Sequence, residues 1–174
     1  GAFTGKAIEM IAQHHEAVDG SGWPKNLTEL SAGSRILAMT NRYDRLCTPE
    51  SPSVPPLMPS EALAFMLRHE ASKHDPQLLG SMIKLLGVYP PGTVVKLSDH
   101  SLALVVSPGK DIQRPRVLLY APDAGEADAP LLDLAREPDL KITEAIRPAT
   151  LAPEVLRWLN PQKRLASFFS VEEA

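Results

Sequence analysis

The apolar residues of this chain keep a helical spacing up to Gly87 and a strand-like one after it, so the sequence cannot fold as a single kind of layer. Ile8, Ile11, Ala12 and His15 fall at i, i+3, i+4 and i+7, which predicts a helix over Gly5 to Glu16 with His15 continuing its buried stripe. His14 lies about 100° around the axis from His15. Asp19-Gly20-Ser21-Gly22 then permits positive φ and a tight turn. A second helix is expected over Gly33 to Leu46, with Leu37, Asn41 and Asp44 on one face. Thr48 to Pro59 holds five prolines in twelve positions and reads as a stiff surface loop. Ser60 caps a helix to about Ser72. Asp75 caps the next, Pro76 sits in its first turn, and Gly87 closes it.

In GTVVKLSDHSLALVVSPG two short β runs flank Ser98-Asp99-His100-Ser101, the signature of a hairpin. RVLLYAP, from Arg116, gives a third strand, and Pro153 to Leu159 a short helix. KRLASFFS near the end is assigned no element, and no internal repeat is present. The expected fold class is mainly α: a helical body over residues 1–90, with a small β-hairpin or meander appendage in residues 91–174.

A length of 174 residues with 44% hydrophobic side chains allows one packed domain, and 5% aromatics makes its core aliphatic. Net charge −3 and a pI near 6.0 exclude the basic field that a nucleic-acid polymer requires. Cys47 is the single cysteine, which precludes an intramolecular disulfide and suits a reducing compartment. There is no apolar run of membrane-spanning length, and GAFTGKAIEM lacks the order of a secretory leader. These features imply a cytoplasmic protein, and the absence of an initiator methionine implies a piece of a longer one.

HHEAVDGSGWP, from His14 to Pro24, is the segment with chemistry in it. Two adjacent imidazoles near a helix end can reach one metal cluster, with Glu16 and Asp19 as direct ligands or as partners that fix the histidine tautomers. The pair can equally cap helix carbonyls and interact with the helix dipole, and one helix supplies only two ligands. Both readings stay open on spacing alone. His69, His74 and His100 read as solvated polar residues and Cys47 as a small buried side chain. Arg42 and Arg45 either contact a phosphate or form the wet face of their helix.

HHEAVDGSGWP resembles the HHExxDGxGYP signature of HD-GYP domains, bacterial phosphodiesterases that cleave cyclic di-GMP. Two further blocks share the resemblance. SRILAMTNRYDRL is similar to the family's RIxxIADxYDAL helix, and HDPQLLGSMIKLLGVYPPGTVVKLSDHSLALVV to its ending FDPxLVxxFLxxLGIYPPGSxVxLSDGxxAxVV. The blocks occur in the family's order and span Ala7 to Val106.

The resemblance implies the later part of an HD-type helical bundle, cyclic di-GMP or a related dinucleotide as ligand, and divalent metal ions, iron or manganese. His14 and His15 match metal-liganding histidines. Asn41 falls where the family has a liganding aspartate, and an amide brings no negative charge; Asp44 matches the second aspartate. Asp19, Gly20, Ser21, Gly22, Trp23 and Pro24 match the GYP loop, with Trp23 in place of tyrosine. That loop implies GGDEF-domain proteins as partners. The family's RPY[KR] stretch is replaced by TPESPSVPPL, and the His-Asp pair that names the fold would stand upstream of His14, where this chain has thirteen residues. The implied function is therefore a cyclic di-GMP signalling protein of the phosphodiesterase family, impaired or inactive as the chain stands. The alternative is a degenerate domain acting as a non-catalytic nucleotide-binding or protein-interaction module. The residues after Val106 imply no function of their own.

Overall fold

The computed structural model describes residues 4–124 and 129–159, and its contacts divide the chain into two units. The first takes the chain up to Leu57 together with Glu61–Ile83; the second takes Met58–Ser60 and the chain from Lys84 onward.

The first unit is helical, built from α1 (Gly5–Ala12), α2 (Ala32–Cys47), most of α3 (Pro59–His69) and most of α4 (Pro76–Leu86). Ser31 caps α2 by accepting from the Ser34 amide at 3.3 Å. Asp75 caps α4 as its sequence position predicts, accepting from Gln77 N at 2.9 Å and Leu78 N at 3.2 Å, and it also pairs with Arg35 at 2.9 Å. Leu30, Met39, Ala62, Leu63, Met66, Leu79 and Met82 are buried, an aliphatic and thioether core of the kind the low aromatic content demands. Burying a side chain such as Met66 stabilises the unit by roughly 1.5–3 kcal/mol.

The first helix departs from its predicted course. It stops at Ala12 rather than Glu16, none of its residues is buried, and Ile8 and Ile11 are 58% and 52% exposed. His14 and His15 therefore lie in the turn after α1, not on its last helical turn. The cause is tertiary: the Glu16 carboxylate bonds amides nine and eleven residues onward, which draws the chain off the helical path.

The second unit is a five-stranded antiparallel sheet in the order β4-β3-β2-β1-β5, formed by β1 (Val94–Leu97), β2 (Leu102–Ser107), β3 (Arg116–Leu119), β4 (Leu131–Asp133) and β5 (Ile142–Ile146). The predicted hairpin is present, with Val94 opposite Leu104 and His100 at φ 70° in the turn. Both faces are covered, which is why neighbouring residues such as Val94 and Val95 are both buried. Val95, Leu97, Ala103, Val105, Val117 and Leu134 form one cluster. Val94, Leu104, Val106, Leu118 and Leu159 form the other, completed by α5 (Pro153–Leu159) as the sequence predicts.

This sheet overturns the expectation of a mainly α chain with a small hairpin or meander appendage. The strands that enlarge it, β4 and β5, carry weak local signals. LLD is three residues long, and ITEAI contains glutamate and alanine, which strands disfavour. Pairing with β3 and β1 specifies them instead. KRLASFFS lies outside the described residues. No described helix is long and apolar enough to cross a membrane.

Candidate functional site

A cavity of about 340 Å³ opens in the helical unit between the turn after α1, one face of α2 and the segment that joins α3 to α4. The turn contributes His14, His15 and Glu16, and the loop after it Ser21, Gly22 and Trp23. From α2 come Ala38, Asn41, Arg42 and Arg45, whose i, i+3, i+4, i+7 spacing places them on one side. Glu70, Lys73 and His74 close the far wall.

The loop is held by its own acidic residues. Glu16 is buried, and its two carboxylate oxygens accept from Lys25 N at 2.7 Å and Leu27 N at 3.0 Å. Asp19 accepts from Ser21 N at 3.0 Å, Ser21 Oγ at 2.6 Å and Ser72 Oγ at 3.1 Å. These bonds, the Ser21 hydroxyl foremost, hold the Asp19 carboxyl below its ordinary pKa. Val18 N donates to Lys73 O at 3.2 Å, which ties the loop to the 3₁₀ turn at Ala71–Lys73. Gly22 is obligatory: a Cβ there would collide with Ala17 N and with backbone atoms of Glu16. Asn26, at φ 55°, donates from Nδ2 to Gly20 O and Gly22 O. The sequence reading missed Asn26, although asparagine's tolerance of positive φ after a glycine-rich turn was a usable signal.

The two histidines stand at the mouth of this loop. His14 Nδ1–H donates to Ile11 O at 2.5 Å, which leaves the lone pair on Nε2. The His14 and His15 rings have centroids 3.8 Å apart, and His15 stacks on Trp23 at 4.3 Å. Desolvation, then the neighbouring His14 and Arg45, lower the His15 pKa, so its ring is neutral at pH 7. Trp23 is otherwise 59% exposed, and its peptide to Pro24 is cis.

Opposite them, Arg42 grips Glu70 through two bonds, Nε to Oε2 at 2.8 Å and Nη2 to Oε1 at 2.7 Å. Burial alone would raise the Glu70 carboxyl, but the bonds and charge of Arg42, with Lys73 and His74, bring it below its ordinary value. His74 was expected to be solvated; it is 8% exposed, lines the cavity, and its Nε2 is buried with no hydrogen-bond partner. Desolvation lowers its pKa and keeps it neutral. His74 lies between the 3₁₀ turn at Ala71–Lys73 and the start of α4, and its burial depends on which segments meet around the cavity, which no local pattern announces.

Of the sequence candidates, the cavity thus gathers His14, His15, Asn41 and the Ser21–Trp23 loop. Asp44 is exposed and does not line it. Glu16 and Asp19 serve the loop rather than presenting free oxygens to the cavity. The donor set does not fit a metal cluster: two imidazoles and an amide are present, and both cavity carboxylates are already bonded. No group of three or more histidines, cysteines or acids among the described residues is arranged to hold an ion.

A family model described as an HD domain matches residues 3–78. A cyclic di-GMP phosphodiesterase of Pseudomonas aeruginosa is 30% identical over 135 residues, which cover 74% of this chain and 32% of that relative. The chain therefore spans under a third of the length of the curated relative it matches. No solved structure matches it.

Proposed function

This chain belongs to the HD-GYP/HD superfamily, and from that premise we propose that it is the later part of a cytoplasmic cyclic di-GMP signalling protein that binds the dinucleotide without efficient turnover. In this reading residues 1–90 are the later part of the HD-type domain and residues 91–174 its β-containing extension. One observation carries the proposal: His14, His15, Asn41, Arg45 and Lys73, from three separate segments, meet around one cavity of nucleotide-binding scale. The anionic backbone of a cyclic dinucleotide suits the cationic α2 face, and the flat His15–Trp23 stack suits an aromatic base. Asn41, an amide where the family has a liganding aspartate, brings no negative charge to an ion, and this favours binding over hydrolysis.

A second reading, an interaction module for GGDEF-domain proteins, is favoured by one feature. Trp23 presents an exposed indole at the tip of a loop fastened by Glu16 and Asp19, a rigid apolar anchor of the kind interfaces use. Equilibrium dialysis against cyclic di-GMP, with chromatography of the recovered nucleotide, tests the first reading. Saturable retention of unhydrolysed dinucleotide is expected. Rapid conversion to a linear product would overturn the non-catalytic reading, and no retention would leave only the interaction module.

A further inference from the structure

We propose that the β unit carries a second binding site, for a small organic monoanion whose carboxylate is held by Arg114 and Lys141 and whose apolar body lies on Tyr89, Leu140 and Ile142. It shares no residue with the cavity of the helical unit, so it stands or falls apart from the function proposed above.

A cavity of about 460 Å³ opens within this unit, on the scale of small-ligand sites. Its floor is apolar. Leu134 belongs to the buried cluster on one face of the sheet, and Tyr89, Leu140 and Ile142, which also line the cavity, are partly buried against that cluster. Val88 carries the apolar wall to the rim: it is 42% exposed, and its amide donates to Ile112 O at 2.9 Å, which sets a second exposed apolar residue beside it. Covering such a floor with an apolar body removes that surface from water, and the Tyr89 ring suits a flat one.

The polar side is built around one arginine. Arg114 Nε donates to Leu134 O at 2.7 Å, and its Nη2 donates to Glu137 O at 2.7 Å and to Leu140 O at 3.0 Å. Three carbonyls from the segment between β4 and β5 therefore fix the guanidinium plane without neutralising it. Arg114 forms no ion pair among the described residues. Its Nη1 has no hydrogen bond among them either, and it is not sealed from solvent. A half-buried guanidinium with a fixed plane, an unpaired charge and one open nitrogen is a preformed anion donor.

Lys141 brings a second unpaired cation to the same cavity, while its amide is anchored to Ser98 Oγ at 3.2 Å. Against the two cations stands one carboxylate, Asp111, whose Oδ1 accepts from Gln113 N at 2.9 Å. The lining thus carries one net positive charge, which a monoanion balances and a cation does not. The open Nη1–H and the mobile ammonium together match the two oxygens of a carboxylate. No covalent step is involved.

The test titrates the whole ¹⁵N-labelled chain with 3-phenylpropionate and, as controls, with its neutral amide and with 3-phenylpropylamine. The carboxylate is expected to give one saturable shift at the Arg114 Nε–H and the Leu140 and Ile142 amides, with the Trp23 indole unmoved. Both controls should bind at least about tenfold more weakly. Lys141→Gln should weaken the carboxylate at least about threefold and Lys141→Glu at least about tenfold, with the melting temperature unchanged because the side chain is exposed. Lys110→Gln, at an exposed lysine outside the cavity, should change nothing. Equal affinity for all three probes would mean that the cavity takes any apolar body, and would overturn the proposal. So would binding unmoved by Lys141→Glu, or no saturable shift with the carboxylate at about 20 mM.

Discussion

Arg42 and Glu70, 28 residues apart, close a two-bond ion pair at 2.7 and 2.8 Å that joins α2 to the end of α3 and forms one wall of the cavity. Because the carboxylate is buried, removing one partner leaves the other uncompensated, while Arg42's partial exposure reduces the cost below that of a fully interior pair. Glu70→Gln should destabilise the chain by about 1–3 kcal/mol in urea unfolding. A double-mutant cycle with Arg42→Met should show coupling of at least about 1 kcal/mol. Additive single effects would mean the pair contributes nothing as a pair.

Glu16 organises the loop rather than the chemistry. Its charge-assisted bonds to Lys25 and Leu27 each contribute about 1–2 kcal/mol, so Glu16→Gln, which retains one acceptor oxygen, should loosen the loop without unfolding the unit. Hydrogen exchange at the Lys25 and Leu27 amides should quicken by about tenfold or more, with α2 amides unaffected. Equal acceleration throughout the helical unit would mean that Glu16 supports the whole fold.

His74 makes stability depend on pH on its own account. Burial lowers its folded pKa below the ordinary 6.5, despite the opposing pull of Glu70 and Asp19, so the unfolded chain binds the proton more tightly. Its contribution is complete above about pH 6.5 and is lost as pH falls through the lower folded value. Glu70, whose folded pKa is also depressed, adds a second loss in the carboxylate range below its ordinary 4.5. Melting temperatures across about pH 2–8 should therefore fall in two stages, and His74→Phe should shrink the upper one to the share of His15, whose pKa is lowered as well.

Cys47 is inert by the same reasoning. Burial, with the charge of Asp44, pushes its thiol up to about 11 despite a hydrogen bond with Tyr43. Only about one thiol in a thousand is thiolate at pH 8. Labelling by a thiol reagent should run at least about a hundredfold slower than for a model thiol, and should reach the model rate in denaturant. Fast labelling of the folded chain would contradict this burial.

Much of the helical unit and the first hairpin of the sheet were legible because their cues are local. Ser98 to Ser101 between two β runs, the Asp75-Pro76 helix start and the i, i+3, i+4 apolar rows each carry their instruction within a few residues. What escaped was set from a distance. α1 ends early because Glu16 bonds residues up to eleven positions away, and β5 forms because β1 offers an edge to a segment with weak strand preference. At the site, HHEAVDGSGWP marked the loop and the histidines. It could not reveal that Glu16 and Asp19 face the loop backbone, or that His74, read as a surface residue, lines the same cavity. Those assignments depend on which segments meet in space.

The central claim, that this cavity receives a cyclic dinucleotide, is tested most directly by locating the bound ligand. Titrating the ¹⁵N-labelled chain with cyclic di-GMP should shift the ring signals of His15 and His74 and the Trp23 indole together, along one saturable curve. Amides of the β unit, such as Val105 and Val117, should stay in place. Saturable shifts confined to that sheet, or none at the cavity with ligand in excess, would contradict the account.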